Sequence, residues 1–236
     1  NNRANIYALK SLGVDWIIAV SACGSLREDF APRDIVIPDQ TYDRTKARIN
    51  TFFGNGLVAH IGFADPFCPV LSNILYESVV AATTRPSAPD WIGGEGLGVR
   101  VHKGGTYVTI EGPQFSSKGE SNIYRKLGMD LIGMTCLPEA KLAREAEICY
   151  ATMAHITDYD VWHASAETVT VAMVVANLMA NVSLAQEAIR HVVQRIPAQR
   201  GGCPCPTALK DAIMTSPERI PTKIKEDLAL LVGRYV

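Results

Sequence analysis

Two aspartates one residue apart, Asp158 and Asp160, are the residues of this sequence best placed to do chemistry. They follow an apolar run, Ile148 to Ile156, that predicts a buried strand. Side chains at positions i and i+2 of a strand point to the same face, so the two carboxyl groups are expected side by side where the strand ends. Open α/β sheets usually bind their ligands at that edge.

A carboxyl pair held this close resists double ionisation, so one member can keep its proton near neutral pH. The protonated group donates a hydrogen bond and the ionised group accepts one. Adenine is complementary to such a pair, because its N7 accepts a hydrogen bond and its N6 amino group donates one. The aspartates therefore predict an adenine site, and two solvated acids at a strand end are the alternative. Tyr159, between them, is expected to point the other way and is counted among the substrate-binding candidates.

The segment from Ser21 to Leu26 follows a predicted strand and consists mainly of small residues. Small residues let backbone N–H groups approach an anion, and Ser21 adds a hydroxyl donor beside Ala22. A tight turn without a ligand explains the pattern equally well. Cys23 is expected to be a small core residue, since no base lies near it in the sequence.

A second hydroxyl candidate, Thr135, follows the predicted strand that ends near Met134. Thr135 would supply another donor to an anion. Met134 offers a soft apolar surface that suits the face of a sugar, although a methionine at such a place is more often a core residue.

The segment from Glu111 to Ser117 contains a Gly-Pro turn that would present Phe115 beside a helix start. Phe115 is a candidate platform for stacking a base, and ordinary burial in the core is the alternative. Ser116 and Ser117 suit the N-terminal cap of a helix, and Glu120 would complete a capping box with Ser117. Ser116 therefore has both a structural and a functional interpretation.

Strands that alternate with helices must position these residues. Apolar spacing predicts helices over 3–12, 69–83, 117–127, 137–146, 167–196 and 222–232, and strands over 15–20, 34–38, 57–61, 130–134 and 148–156, with two more between 97 and 110. Residues 85–98 are predicted to form a surface loop. This order predicts an α/β fold of three layers, α/β/α, around a central mixed sheet, formed by one domain over 1–236.

Composition excludes several classes of function. The chain has 236 residues, of which 47% are hydrophobic, and a net charge of −1, so nothing favours binding to nucleic acid or to an anionic membrane. No apolar run reaches the roughly 20 residues of a membrane span. The chain lacks an initiator Met and a recognisable signal peptide, so we expect a cytoplasmic protein that is missing its natural N-terminus.

Six cysteines and five histidines show no metal-ligand spacing, so no metal site is predicted. Reduced thiols are expected for most of the cysteines. The exception is Cys203-Pro204-Cys205, a pattern in a Gly/Pro-rich turn that could oxidise.

Taken together, these segments resemble the methylthioadenosine phosphorylases of the trimeric purine nucleoside phosphorylase family. The matching pieces run in family order as SACGSLRED, DIVIPDQ, DRT, HIGFADPFCP, GTYVTIEGPQFSSKGES, IGMTCLPEAKLAREAEICYA and TDYDVW. The resemblance implies a phosphorylase/hydrolase-like fold and phosphorolysis of S-methyl-5'-thioadenosine to adenine and 5-methylthioribose 1-phosphate, a reaction of purine and methionine salvage. It implies a homotrimer, inorganic phosphate as co-substrate and no cofactor.

The same resemblance implies a role for each site residue. It implies that Ser21, Ala22 and Thr135 bind phosphate and that Met134 contacts the ribose. Phe115 and Ser116 would line the base pocket, where Asp158 would face N7 and Asp160 would face N6. Val171 would shape a pocket for the methylthio group, and His60 would reach into the site of a neighbouring subunit. Asp158 stands where relatives acting on 6-oxopurines usually carry Asn. Cysteines placed like Cys68 and Cys149 can pair in hyperthermophile members.

The family carries a glycine-rich phosphate loop and an Arg-His pair before the segment where this chain begins. We therefore expect an N-terminally incomplete domain, and a truncated chain that binds purines without catalysis is one alternative. A phosphorylase of methylthioinosine or of 6-oxopurine nucleosides is another, and a hydrolase that uses water is a third.

Overall fold

The computed structural model describes residues 1–83, 99–163 and 170–236. Within these ranges a mixed sheet has the strand order β3-β5-β6-β1-β7-β2-β4. Its strands are β1 (Trp16–Ser25), β2 (Ile35–Ile37), β3 (Gln40–Arg44), β4 (Val101–Lys103), β5 (Thr106–Ile110), β6 (Leu131–Gly133) and β7 (Cys149–Asp158). Strand β1 runs parallel to β7 and antiparallel to β6, so the sheet is mixed, as predicted.

Helices cover both faces of this sheet. They are α1 (Asn2–Ser11), α2 (Pro69–Thr83), α3 (Lys118–Lys126), α4 (Cys136–Glu145), α5 (Val171–Ala180), α6 (Val182–Arg195), α7 (Thr222–Asp227) and α8 (Ala229–Val232). Helices α1 and α4 contribute to one apolar core, and α2 and α6 contribute to the other. The predicted three-layer α/β fold is confirmed.

Strand β7 shows why both cores form. Tyr150, Ala154 and Ile156 belong to the core on the α4 face, whereas Ala151 and Met153 belong to the core on the α2 face. Alternation of side chains along a strand therefore buries both faces of β7, and every one of its ten residues is buried. The continuous apolar run in the sequence has this cause.

Several sequence predictions agree with the structure. Helix α2 has the predicted bounds, and β4 and β5 are the two strands predicted on either side of Gly104-Gly105. Ser117 caps α3, and its side chain and that of Glu120 form the predicted capping box. Among the described residues no helix combines the length and the apolar character that a membrane crossing requires.

Other predictions were wrong. Residues 57–61 form only isolated bridges, Gly54 with Leu57 and Ala59 with Ile213, because their backbone pairs with turns instead of a strand. Strand β3 was missed, since it lies at the edge of the sheet and its residues are polar and half-exposed. The segment 222–232 forms two short helices, α7 and α8, in place of one.

The long helix predicted over 167–196 is also divided. Helices α5 and α6 meet at Asn181, whose side-chain amide donates a hydrogen bond of 2.8 Å to the carbonyl of Arg33. Residues 167–169 and the predicted surface loop 85–98 lie outside the described residues.

Candidate active site

Asp158 and Asp160 lie together at the end of β7, but not for the reason that strand periodicity gives. Strand β7 ends at Asp158, and Asp160 has a left-handed backbone with φ of 51°. The backbone N–H of Asp160 donates a hydrogen bond of 2.8 Å to Oδ1 of Asp158. The expectation that one strand face carries both side chains was therefore wrong. A tight turn closed by the first aspartate brings them together.

Gly24 of strand β1 makes room for this turn. A Cβ atom on Gly24 would lie 3.0 Å from Oδ1 of Asp158, 3.3 Å from Cβ of Asp160 and 2.9 Å from a methyl group of Ile132. The register between β1 and β7 shifts at Cys23 and Gly24, which opposes Asp158. In the sequence Gly24 is one of several small residues in a row, whereas in the structure it packs directly against both aspartates and forms the floor of the aspartate pair.

Ser116 connects the aspartates to the Gly-Pro segment. Its hydroxyl lies 3.0 Å from each carboxylate oxygen of Asp160 and donates to them, and both residues are buried. Burial raises the pKa of Asp160, and the hydrogen bond from Ser116 opposes that rise. Strand spacing predicts only that one member of the pair keeps a proton, and the resemblance places Asp158 at N7; both stay predictions.

Asp158 accepts two hydrogen bonds. Besides the amide of Asp160, the hydroxyl of Thr157 lies 2.7 Å from its Oδ2. Tyr159, in contrast, turns toward other groups: its ring stacks on His163 at 4.6 Å, and its hydroxyl lies 3.4 Å from the carbonyl of Glu28. The expected opposite orientation of Tyr159 agrees with these contacts, which do not include the aspartate side chains.

A second polar group consists of three hydroxyls. Oγ of Ser21 lies 2.8 Å from Oγ1 of Thr135 and 3.0 Å from the hydroxyl of Tyr107, and the last two are 3.4 Å apart. Ser21 and Tyr107 are buried, whereas Thr135 is exposed. The structure thus brings the two predicted hydroxyl residues together. Burial raises the pKa of Tyr107 well above its usual value, so its hydroxyl keeps its proton and can donate.

Tyr107 was missed because, in the sequence, it is an ordinary residue of an apolar strand. Position 133 on the neighbouring strand β6 requires a glycine, because a Cβ atom there would lie 2.1 Å from the hydroxyl of Tyr107. The glycine before Met134 and Thr135 was the one signal that could have pointed to a close approach at this place.

The predicted anion-binding turn after Val20 was wrong in its local structure. Ser21 and Ala22 lie inside β1, opposite Ala154 and His155 of β7. Strand β1 pairs with β6 only at Gly24 and Ser25, so the edge of β1 at Ser21 and Ala22 lies outside that ladder.

Arg48 joins the strand ends around Met134. Its guanidinium donates hydrogen bonds to four backbone carbonyls, those of Ile110, Glu111, Met134 and Leu137. The sequence offered no signal for this role, because the partners are main-chain groups. The side chain of Met134 packs against Gly112, since a Cβ atom on that glycine would lie only 2.6 Å from the sulfur of Met134.

Phe115 is 46% exposed, which excludes the interpretation as a buried core residue. It lines a cleft with Gly112 and Ser116, and Ser116 in turn contacts Asp160, although neither aspartate lines that cleft itself. Val171, at the start of α5, is 68% exposed. It continues into an exposed apolar stripe at Val175 and Met179.

His60 is exposed and lines a different cleft, together with Gly62, Asp65 and Arg144. This cleft contains none of the aspartate or hydroxyl residues described above. A contribution of His60 to its own chain's site therefore has no support, and the expected contribution to a neighbouring subunit stays a prediction.

The cysteines give the one cluster that could hold a metal among the described residues. The sulfurs of Cys68, Cys149, Cys203 and Cys205 all lie within 4.8 Å of one another. All six cysteines are free thiols, so Cys68 and Cys149, whose counterparts can pair, are close but not bonded.

The comparison with protein families gives one clear match. The phosphorylase superfamily matches residues 1–195. The chain is 52% identical over 237 aligned residues to S-methyl-5'-thioadenosine phosphorylase of Geobacter sulfurreducens, covering 100% of this chain and 77% of that protein. It is 54% identical to the protein of that name from Chloroflexus aurantiacus, covering 99% of this chain and 76% of that one.

Solved structures agree with these relatives. A methylthioadenosine phosphorylase from an antarctic soil metagenomic library matches with a TM-score of 0.87 at 46% identity, over 98% of this chain and 76% of that one. The methylthioadenosine phosphorylase of Schistosoma mansoni, in complex with adenine, matches with a TM-score of 0.77 at 33% identity, over 99% and 77% of the two chains.

Proposed function

The chain belongs to the phosphorylase superfamily, and we propose that it catalyses the phosphorolysis of S-methyl-5'-thioadenosine to adenine and 5-methylthioribose 1-phosphate. One observation carries the proposal. Ser21, which belongs to the cluster of three hydroxyls, and Gly24, which packs against the two aspartates, lie three residues apart on β1. Three residues of a strand span about 10 Å, which a nucleoside can bridge.

Departure of adenine places negative charge on the purine and positive charge on the ribose. In the proposed mechanism, Asp158 donates a proton to N7 and so stabilises the leaving base, as a general acid. Asp160, held by Ser116, accepts a hydrogen bond from the N6 amino group. Because a 6-oxopurine offers an acceptor at that position, the aspartate pair favours adenine over hypoxanthine or guanine.

Phosphate is the nucleophile in this mechanism. The hydroxyls of Ser21, Thr135 and Tyr107 lie within 3.4 Å of one another, and in this mechanism they turn their protons to the phosphate oxygens. The phosphate dianion stabilises the ribosyl cation and then bonds to C1', while the electrons of the glycosidic bond leave with the base. The residues act by positioning and electrostatics, and this chemistry needs neither an organic cofactor nor a catalytic metal.

The remaining residues hold the sugar and the apolar end of the substrate. Met134, fixed by Arg48 and Gly112, packs on the ribose, and the exposed ring of Phe115 stacks on the base. Val171 contributes to the methylthio pocket. These roles explain why apolar side chains are exposed beside a polar site.

We infer a homotrimer, the assembly that the family resemblance implies, and an exposed apolar surface supports the association of several copies. Val171, Val175 and Met179 are 68%, 50% and 64% exposed and recur every four residues, so α5 presents an apolar stripe that a second copy can cover. His60, exposed on another cleft, would then complete the site of the neighbour. The cytoplasmic location expected from the sequence stays a prediction.

The first test is release of adenine from S-methyl-5'-thioadenosine, followed with and without inorganic phosphate. The proposal expects release that depends on phosphate, with 5-methylthioribose 1-phosphate as the second product. Release at the same rate without phosphate, giving free methylthioribose, would identify a hydrolase instead. Methylthioinosine in the same assay tests the 6-oxopurine alternative, and a faster rate on it would overturn the specificity.

Adenine binding, measured by calorimetry on the same preparation, separates the non-catalytic alternative. A chain that binds adenine but releases none from the nucleoside at any phosphate concentration is a purine-binding protein without this activity. The proposal expects adenine binding and turnover together.

A further inference from the structure

Four cysteines from three distant segments of the chain meet at one place. Cys68 precedes α2, Cys149 begins β7, and Cys203 and Cys205 lie in the segment after α6. Their sulfurs all lie within 4.8 Å of one another. Three of the four residues are buried, and Cys203 is half-buried. Spacing along the sequence gives no sign of this cluster, which is why no metal site was predicted from it.

We propose that these four thiols bind one zinc-class divalent metal ion as a structural tetrathiolate site, separate from the catalytic site. Zinc binds four cysteine sulfurs tetrahedrally at about 2.3 Å, which places neighbouring sulfurs about 3.8 Å apart. Sγ of Cys149 and Sγ of Cys203 are 3.7 Å apart. A disulfide would need about 2.05 Å. The other sulfur separations, at most 4.8 Å, need only small rotations about the Cα–Cβ bonds to close on a single ion.

Hydrogen bonds to the backbone already hold three of the four ligands. The amide of Cys68 donates to the carbonyl of Tyr150 at 2.8 Å, which fixes this residue beside the start of β7. The amide of Leu71 points at Sγ of Cys68, at 3.5 Å, as second-sphere donors do in metal sites. The carbonyl of Cys205 accepts a hydrogen bond of 3.3 Å from the backbone amide of Ala208 within a short 3₁₀ turn. The amide of Cys149 donates one of 3.0 Å to the backbone carbonyl of Asp15.

The buried guanidinium of Arg144 also favours a metal ion bound by the four thiolates. Binding of M²⁺ by four thiols releases four protons and leaves a centre with a charge of −2. Arg144 is 5% exposed and donates to two carbonyls, those of Gly62 and Asp65. Within the part of the chain that the structure describes, it forms no ion pair with a carboxylate, and it lines one cleft with Pro204, which lies between two of the proposed ligands. A tetrathiolate centre supplies the anion that this guanidinium lacks.

Such a site would fasten the C-terminal segment to the sheet. Cys203 and Cys205 are its only ligands from beyond α6, whereas Cys68 lies just before α2 and Cys149 begins β7. A bound ion would therefore join three elements of the α2 core without a covalent bond between thiols. This closed, four-ligand arrangement is typical of structural rather than catalytic zinc.

The test uses Co²⁺ as a spectroscopic probe for zinc. The full chain is purified without a metal-binding tag, reduced, stripped with a chelator and titrated with Co²⁺ under nitrogen. The proposal expects one Co²⁺ per chain, sulfur-to-cobalt charge-transfer absorption in the near ultraviolet, strong visible bands of a tetrahedral site, and loss of these bands when Zn²⁺ is added. Absence of the bands in the reduced, folded wild type would overturn it.

Two variants locate the site. Cys203→Ser changes the least buried ligand and should abolish or strongly weaken the charge-transfer bands, whereas Cys136→Ser changes a buried thiol outside the cluster and should keep them. Equal bands in both variants would contradict the assignment. Thiol titration of the denatured, unreduced protein with chelator present should count six thiols, and four or fewer would show disulfides instead of a metal site.

Discussion

The backbone N–H of Asp160 donates a hydrogen bond of 2.8 Å to Oδ1 of Asp158, and this contact closes the turn that follows β7. The first aspartate therefore positions the second. Since Asp160 has a left-handed backbone, the turn depends on a residue type that tolerates that conformation, and aspartate does so better than most. The pair is one structural unit with one shared hydrogen-bond network.

Asp158→Asn tests the role at N7. An asparagine amide keeps an oxygen to accept from the amide of Asp160, so the turn should survive, but it cannot transfer a proton to the base. We expect kcat/KM for S-methyl-5'-thioadenosine to fall by about 10²–10⁴-fold and the preference to move toward 6-oxopurine nucleosides. Steady-state kinetics with both bases measure this, and an unchanged preference would remove Asp158 from the proposed role.

Ser116→Ala and Ser117→Ala form a matched pair of neighbouring serines. Ser116 donates to the carboxylate of Asp160 and so opposes the rise in its pKa that burial causes. Without that hydroxyl the pKa of Asp160 rises further, so the carboxylate form is lost at a higher pH as the solution is acidified. The acidic limb of the kcat/KM profile should therefore move to higher pH.

Ser117 instead caps α3. Its loss should reduce the free energy of unfolding by about 1 kcal/mol and leave the acidic limb in place. If both serine variants shift the pH profile equally, the hydrogen bond to Asp160 does not set it.

Gly24→Ala tests whether the close packing of Gly24 against Asp158 and Asp160 positions the two carboxylates. The added methyl group would lie 3.0 Å from Oδ1 of Asp158 and 2.9 Å from Ile132, so one of them must move. We expect kcat/KM to fall by about 10²-fold, since displacements near 1 Å cost that much. Gly201→Ala, where nothing lies within 4 Å, is the control and should retain wild-type kinetics. Wild-type kinetics in Gly24→Ala would mean that the site relaxes freely.

Tyr107→Phe tests the hydroxyl that the sequence did not reveal. Its hydroxyl lies 3.0 Å from Oγ of Ser21, and burial keeps it protonated by raising the pKa of Tyr107. Loss of one neutral hydrogen bond, about 1 kcal/mol, should raise KM for phosphate about five-fold while kcat changes less. Tyr76→Phe on α2 controls for the substitution itself. A higher KM for the nucleoside alone would place Tyr107 at the sugar instead.

The sequence predicted those parts of the fold that rest on local pattern. Helix α2 and strand β7 came from apolar spacing, and the cap of α3 came from Ser117 and Glu120. Strand β3 was missed, because an edge strand with polar, half-exposed residues has no apolar pattern. Long-range pairing creates it, and no local window contains that information.

The site divides in the same way. Ser21 and Thr135 were predicted because their residue type suits an anion, and the structure places them 2.8 Å apart. Arg48 was missed, since its partners are backbone carbonyls 62 to 89 residues away in sequence. Tyr107 and Gly24 were missed because strand residues and small residues have ordinary structural explanations, and only contacts across strands reveal a second role.

His155 links stability to acid. It is 1% exposed in β7, both ring nitrogens lack a hydrogen-bond partner among the described residues, and burial lowers its pKa to about 4. Between that value and the ordinary pKa near 6.5, the unfolded chain binds the proton and the folded one does not, so stability falls as the pH drops. The loss should approach about 3 kcal/mol at pH 4. In His155→Leu this part of the pH dependence should disappear, without loss of stability at pH 8, because the two unpaired nitrogens are also removed. Urea denaturation at several pH values measures both effects, and an identical pH dependence in the variant would assign the acid sensitivity to other groups.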